Sequence, residues 1–371
     1  MAKKKPVPKT SRPRSKPSSP AQLHRALERL DRELVKGLND RAKLVRQLAD
    51  LTDSTTSNRD SIDGDTLERV VDASKGPLTD ETMRAVFREV ISGAHALIRP
   101  IRVAYLGPLY SYSHLATTSR FGSSADLSPV ATISAVFEEL NRGHADYGVV
   151  PLENSTDGRV ADTLGMFARH PLRICGEVQL RIHHNLLSLS PREEIQEVCS
   201  KPQALSQCRD WLAKHLPQAR TVEMASTAAA AQLAAGKPGM AAVASRLAAV
   251  NYGLDVVCAN IEDNKNNVTR FAIIGGQAGP RTGHDKTAIM FEIPHNSGSL
   301  ADVMGVFKRA RLNMTWIESF PLPGSKNEYL FFVESLGHEN DAKFKKALAA
   351  LESRTVRLSV LGSYATSEPL D

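Results

Sequence analysis

Leu23, Leu27, Leu30, Leu34, Leu38, Val45 and Leu48 recur three, four or seven residues apart. That spacing places them on one stripe of an amphipathic helix running from about Ala21 to Leu51. Arg41 interrupts the stripe, seven residues from both Leu34 and Leu48. A guanidinium on an apolar seam either meets an anion or snorkels to water, and the pattern alone leaves both readings open. After a polar stretch over 52–65, a second helix is expected over Thr66–Ala73, ended by Gly76 and Pro77. A third starts at Thr79 and Asp80, whose side chains suit a helix cap. It continues through Met83, Val86, Phe87, Val90, Ile91 and Ala94 toward Leu97. Residues 21–100 therefore read as an all-helical module. Its first helix, roughly 45 Å long, exceeds what two short partners can cover, so dimerisation through this module is expected.

Beyond Pro100 the texture changes. Short β-rich runs (Arg102–Leu106, Tyr147–Val150, Ile174–Leu180, Ala241–Ala244, Phe271–Ile274) alternate with helical stretches such as Pro202–His215 and Thr227–Ala235. This predicts a two-lobed α/β domain over 101–279. A Gly-rich linker through Gly283 precedes residues 284–365, which read strand, helix, strand, strand, helix, strand, a βαββαβ ferredoxin-like plan. Its expected strands are Lys286–Ile293, Asn313–Phe320, Glu328–Ser335 and Thr355–Leu361, with helices Ser299–Ala310 and Asp341–Leu351.

The length of 371 residues agrees with two or three domains. A composition of 42% hydrophobic and 24% charged residues is that of a globular protein, and no run is apolar enough for a spanning helix. Cys175, Cys199, Cys208 and Cys258 form no CxxC pair, which argues for a reduced, cytoplasmic chain without a cysteine zinc site. The formal charge of +6 is misleading. Residues 1–20 hold Lys3, Lys4, Lys5, Lys9, Arg12, Arg14 and Lys16 and no acid, leaving 40 basic against 41 acidic residues elsewhere. That Pro/Ser/Lys-rich stretch reads as a disordered basic tail without the apolar core of a secretory signal. No nucleic-acid or membrane partner is implied.

Small polar groups directly after β runs mark where an α/β fold holds its ligands. Ser111, Ser113 and His114 enter a helix after a Gly-Pro turn, and backbone N–H groups there suit an anion. Glu153, Asn154, Ser155 and Thr156 follow a buried run; Ser200 and Lys201 precede a helix carrying Gln207; Asn266, Asn267, Thr269 and Arg270 precede an apolar strand. Hydroxyls, amides and one or two cations, with no metal cluster, no GxGxxG and no phosphate loop, suit a small organic anion. If the site is catalytic, it assists a downhill reaction by proton donation and charge stabilisation.

The segments GPLYSYSHLATTSRFG, ADYGVVPLENSTDGRVADTL, SKPQALSQCRDWL, AAVASRLAAVNYGLDVVCANIEDNKNNVTRF and NMTWIESFP resemble prephenate dehydratase. Residues 21–365 as a whole resemble the P-protein family, which joins a chorismate mutase helical module, a dehydratase built like a periplasmic binding protein and an ACT regulatory domain. The resemblance implies that prephenate, a dianion, loses CO2 and water to become phenylpyruvate, with no cofactor or metal and phenylalanine as end-product inhibitor. It implies a homodimer or homotetramer. It makes Thr269 the essential residue, Arg270 the counter-charge to a substrate carboxylate, and Asn154, Gln207 and Ser200 its catalytic neighbours. Ser111, Ser113, His114, Ser155 and Thr156 follow as substrate contacts. Tyr110 stands at a family glycine, Arg159 at a serine and Ala225 at a glutamate; the two bulky residues are expected to reshape the cleft mouth.

The helical module departs further. Arg41 matches a family arginine that would bind chorismate, but His24, Thr52, Gly64, Asp65 and Ile98 stand where other charged or polar groups are usual. One cation for two carboxylates is too little for an electrostatic pericyclic catalyst, so weak or absent mutase activity is expected, with the module kept for dimerisation. In the final domain the resemblance puts an amino-acid ligand at Gly298, Ser299 and Leu300, with Asn313 and Glu318 nearby; Phe320 replaces a family arginine. A different class of function, a non-catalytic two-lobed sensor of amino acids or prephenate, fits the same architecture.

Overall fold

The structure, a computed structural model, describes residues 19–51, 66–67, 69–276, 279–321 and 329–370. The expected tail up to Ser18, the polar stretch 52–65 and part of the Gly-rich linker lie outside the described residues. The chain forms two compact units, Met1–Ser54 and Thr55–Asp371. In the first, helix α1 (Pro20–Leu51) runs for 32 residues with no residue buried. Its leucine stripe is present, and Leu23, Leu27, Leu30, Leu34, Leu38 and Leu48 are all exposed.

The second unit opens with α2 (residues 69–73) and α3 (Asp80–Ala96). Thr79 caps α3, its Oγ1 accepting the Thr82 N–H at 3.2 Å. Within this unit α3 is fastened to the α/β domain. Arg88 donates to the Ser119 carbonyl at 3.1 Å, Ser123 donates to the Glu89 carboxylate from both N–H and Oγ, and the Ser124 N–H donates to Ser92 Oγ. Such distant polar pairing leaves no trace in helical periodicity.

The first lobe is built on a seven-stranded sheet. Its elements in chain order are β1 (Arg102–Leu106), α4 (Tyr112–Phe121), β2 (Asp126–Val130), α5 (Ile133–Asn141), β3 (Tyr147–Asn154), β4 (Gly158–Arg159), α6 (Ala161–Phe167) and β5 (Arg173–Arg181). The chain then crosses to the second lobe: β6 (Asn185–Ser188), β7 (Glu197–Ser200), α7 (Pro202–Gln207), α8 (Arg209–His215), β8 (Arg220–Glu223), α9 (Thr227–Ala234), β9 (Met240–Ala244), α10 (Arg246–Tyr252) and β10 (Asp255–Cys258). It returns as β11 (Val268–Gly275), which lies antiparallel between β5 and β3. The second sheet has the order β10-β6-β9-β7-β8. Its central β9 is buried along its whole length, as expected for a strand covered on both faces, and the alanines of α9 let that helix pack closely on it.

One expected helix is two. Pro202–His215 breaks at the buried Cys208 (φ −120°, ψ 16°) into α7 and α8. The Asp263 carboxylate accepts the Asp210 and Trp211 N–H groups at 3.0 Å each, capping α8 from a distant loop. The break leaves Gln207 at the C-terminal end of α7.

The last domain follows its sequence pattern closely: β12 (Asp285–Glu292), α11 (Ser299–Ala310), β13 (Met314–Pro321), β14 (Tyr329–Leu336), α12 (Ala342–Glu352) and β15 (Arg357–Ala365), in sheet order β13-β14-β12-β15. One face of this sheet packs on α11 and α12 through Phe291, Val303, Phe307, Val333 and Phe344. The other shares a core with the first lobe, where Met290, Leu330, Phe332 and Tyr364 meet Ala272, Ile274 and Leu152. Gly362 makes the approach possible, since a Cβ there would lie 2.0 Å from the Ile174 carbonyl oxygen. The chain then adds β16 (Pro369–Leu370) beside β5 in the first sheet, a return that the sequence pattern did not announce. Among the described residues no helix is long and apolar enough to cross a membrane, and all four cysteines are free.

Candidate active site

Two crossings join the lobes, β5 to β6 and β10 to β11, and they run side by side. The Ile182 N–H donates to the Asn267 carbonyl and the Ile261 N–H to the His184 carbonyl, at 2.8 and 2.7 Å. The Glu262 carboxylate, 1% exposed, accepts from His183 Nδ1 at 2.8 Å and from the His184 N–H at 2.9 Å. The junction is thus pinned by a buried anion with two donors.

Beside it, side chains from both lobes form one chain of hydrogen bonds. Asn154 Oδ1 accepts the backbone N–H groups of Thr156 and Asp157 at 3.0 and 3.1 Å. Backbone N–H groups only donate, so the amide's orientation is fixed. Asn154 Nδ2 must then donate its two protons, to Asn267 Oδ1 and Thr269 Oγ1, both at 2.8 Å. Asn267 Nδ2 donates to Gln207 Oε1 at 2.9 Å, and His184 Nε2 lies 2.8 Å from the same oxygen. Gln207 Nε2 in turn donates to Asp157 Oδ2 at 2.9 Å, which also receives Gln203. Thr269 Oγ1 is therefore an acceptor within the protein, and its own proton has no protein acceptor among the described residues. The arrangement offers a ligand a hydroxyl donor.

Burial holds the His184 imidazole below its ordinary value, against the opposing pull of Gln207 and Glu262. A neutral ring with its proton on Nε2 is the form that can donate to Gln207 Oε1. Tyr112, from α4, contacts His184 Nδ1 at 3.2 Å and donates to the His183 carbonyl at 2.8 Å; burial pushes its phenol well up.

A second cluster lies where α4 begins. Ser111 caps the helix by accepting the His114 N–H at 3.3 Å. His114 stacks on Tyr105 with ring centres 5.4 Å apart, and burial lowers its pKa and raises that of Tyr105 to about 12. Tyr110 has a left-handed backbone (φ 64°), uncommon for a residue of its bulk. Its N–H donates to His114 Nδ1, its ring meets Tyr252 of the second lobe edge-on at 5.4 Å, and Ser245 Oγ reaches its carbonyl at 3.5 Å. Tyr110 thus bridges the two lobes.

Of the residues expected from sequence, Thr269, Asn154, Gln207 and Thr156 come together. Ser155 sits beside them with its hydroxyl engaged, donating to the Asn266 carbonyl and accepting the Val268 N–H, so it clamps β3 to β11. Ser113 is buried and receives Thr117 Oγ1 on its carbonyl. Arg41 belongs to α1 and so to the other compact unit. Two expectations are corrected. Ser200 is fully buried and donates to the Val243 carbonyl at 2.6 Å, a structural role at the end of β7. Arg270 points to the face of β11 opposite Thr269, where its guanidinium meets Glu153 at 2.8 Å, Glu177 at 3.1 Å and Glu334 at 2.7 Å. Strand alternation explains it: adjacent residues cannot share a face. Three carboxylates already compensate its charge, so it is not the counter-charge of a bound anion.

In the last domain Gly298, Ser299 and Leu300 line an open depression with Pro294, Met304, Lys308, Tyr329 and Phe331. Asn313 and Glu318 lie elsewhere. The Asn313 carbonyl receives the Leu336 N–H and Ser335 Oγ, and Glu318 pairs with Arg159 of the first lobe at 2.5 Å. Sequence reading passed over His184 and Asp157, and left Asn267 unassigned, although His183 and His184 leave an apolar strand in the same manner as the segments that were chosen.

The family model described as prephenate dehydratase matches residues 103–278. A bifunctional chorismate mutase/prephenate dehydratase of Neisseria gonorrhoeae is 39% identical over 92% of this chain and 96% of its own length. A crystal structure of prephenate dehydratase from Arthrobacter aurescens, in complex with L-Phe, superposes with TM-score 0.67 at 31% identity, over 71% of this chain and 90% of that one. GqqA, described as a novel type of quorum-quenching acylase, superposes with TM-score 0.66 at 29% identity, over 71% of this chain and 98% of its own. With its two-lobed α/β body and a relative this similar along nearly its whole length, the chain belongs to the bifunctional chorismate mutase/prephenate dehydratase family.

Proposed function

We propose that prephenate is dehydrated at the junction of the two lobes, with Thr269 assisting the departing hydroxyl. One observation carries the reading: the bond between Asn154 and Thr269 can run in one direction only, which leaves the threonine proton for a ligand. The chemistry balances with a single proton. The bond from the ring to its carboxylate breaks and CO2 leaves; that electron pair enters the ring and expels the 4-hydroxyl, which takes up one proton as water. The dianion becomes the phenylpyruvate monoanion, and aromatisation supplies the driving force. Thr269 is a poor acid at rest, so its contribution is a hydrogen bond that strengthens as negative charge grows on the leaving oxygen. The first-turn N–H groups of α4, beside Tyr110, suit one substrate carboxylate. Purified protein mixed with prephenate is expected to generate the ultraviolet absorbance of phenylpyruvate. Failure of the wild type to turn over would reject the assignment in favour of a binding module.

The βαββαβ domain is read as an ACT domain. The relative from Arthrobacter aurescens is described with L-Phe bound, and the depression at Gly298, with its left-handed φ of 88° opening α11, is the place we assign to phenylalanine as an inhibitor here. A titration of dehydratase rate against phenylalanine should fall, and a flat response removes this reading. The exposed stripe of α1 supports assembly of the chain as at least a dimer. For the mutase step, the substitutions His24 and Ile98, with Arg41 as the retained cation, support weak activity. Rapid loss of chorismate at a rate comparable to the dehydratase step would refute this.

A further inference from the structure

Arg270 follows Thr269 directly, yet its side chain enters a buried cage whose walls come from two domains. Glu153 is on β3 and Glu177 on β5, whereas Glu334 is on β14 and Lys286 on β12 of the last domain. Glu177 and Glu334 are each 1% exposed. Lys286 Nζ lies 2.6 Å from Glu177, and Tyr364 of β15 donates to Glu334 at 2.5 Å. The guanidinium also stands over the Trp316 ring of β13, 5.3 Å from its centre. A planar guanidinium bonded on several sides has one position that satisfies its partners, and removing it leaves the three carboxylates with Lys286 alone to compensate them among the described residues. The Arg270 backbone is held accordingly.

That backbone sits at an irregularity. In the pairing of β11 with β3, Thr269 lies opposite Asn154 and Arg270 opposite Glu153, but Phe271 lies opposite Pro151, so Leu152 is an extra residue. Pro151 has no N–H to give to the ladder. A bulge re-aims the side chains beside it; on its other side β11 pairs regularly with β5 from Val268 to Ile273, and the cage adds a side-chain anchor on the bulged side, directly next to Thr269. Strand β14 links this to the depression at Gly298. Tyr329 and Phe331 line the depression, and Glu334 is three residues beyond Phe331 on the opposite face of the same strand, about 10 Å along it.

We propose that Arg270 is a positioning residue for Thr269, and that the Glu334 wall of its cage carries the occupancy of the Gly298 depression to the active site. The second half rests on the assignment of phenylalanine to that depression. Two variants of the full chain test the two halves. Arg270→Lys should lower kcat at least about tenfold while KM stays within about threefold, because the substrate is not what Arg270 touches. A KM rise with kcat retained would mean that Arg270 binds a substrate carboxylate, and would overturn the proposal. Glu334→Gln keeps one oxygen to accept from Arg270, so without effector it should lower kcat less than Arg270→Lys does. At saturating phenylalanine, the fraction of its own uninhibited rate that remains should be at least about fivefold the fraction that remains in wild type, while phenylalanine still changes Trp316 fluorescence with a Kd within about threefold, measured in a Trp211→Phe background. Undiminished inhibition of Glu334→Gln overturns the coupling. If wild type shows no phenylalanine binding at all, the ligand assignment and the coupling fall together, and Arg270→Lys still decides the positioning role. Should Arg270→Lys not fold, as judged by circular dichroism, Arg270→Met, which keeps the stem, replaces it with the same readings.

Discussion

Asn154→Asp exchanges an N–H2 for an oxygen without changing shape, and so isolates the direction of one hydrogen bond. The acceptor side survives, since a carboxylate oxygen still receives the Thr156 and Asp157 N–H groups. The donor side is lost. Asn267 Oδ1 then faces a negative oxygen at a distance where it now receives a proton, 2.8 Å, and Thr269 Oγ1 turns its hydrogen toward that oxygen instead of the ligand. The bond to Asn267 disappears and the one to Thr269 reverses; leaving a buried acceptor unpaired costs about 1–3 kcal/mol, which thermal unfolding should report. The larger effect falls on rate. A donor that acts on developing charge is worth ~10²–10³ in kcat, and steady-state phenylpyruvate absorbance should show that loss with KM nearly unchanged. Thr269→Val removes the same donor outright, so the double variant should be little worse than either single one. Asn154→Asp with kcat within about threefold of wild type would refute the reasoning, because a reversed bond would then have no consequence.

The buried imidazoles give a pH dependence. His184 and His114 both have pKa values below the ordinary one because burial disfavours their charged form. The unfolded chain binds protons that the folded chain resists, so stability is full above about pH 7 and falls as pH drops through and below 6.5. Unfolding midpoints across that range check this, and a midpoint that holds or rises on acidification contradicts it. Gly362→Ala should destabilise by more than ~2 kcal/mol, since a methyl 2.0 Å from the Ile174 carbonyl oxygen forces β15 off β5. An unchanged midpoint would mean that the two sheets do not approach as described.

What could be read from the chain depended on how local the cause was. The strands and helices of the last domain came within a residue or two of their places, save for β15, which runs four residues beyond its expected end, because alternation and helical spacing are written over consecutive positions. Thr269, Asn154 and Gln207 were legible as polar groups leaving β runs. Arg270 was not, since nothing in its neighbourhood tells which face of β11 a second domain will cover with carboxylates. Ser200 shares its neighbours' pattern, yet the Val243 carbonyl claims its hydroxyl. The break at Cys208 depends on Asp263, and β16 on a return across the whole chain. Both are tertiary in origin, and local propensity gives no sign of them.

The central claim is that a hydroxyl at position 269, aimed by Asn154, assists loss of the substrate's own hydroxyl. Comparing Thr269→Ser with Thr269→Val in single-turnover formation of phenylpyruvate tests it most directly. The serine variant, which keeps the donor, should stay within about tenfold of wild type, and the valine variant, which keeps the shape, should fall ~10²–10³-fold. Equal rates in the two variants, or a valine variant as fast as wild type, would contradict the account.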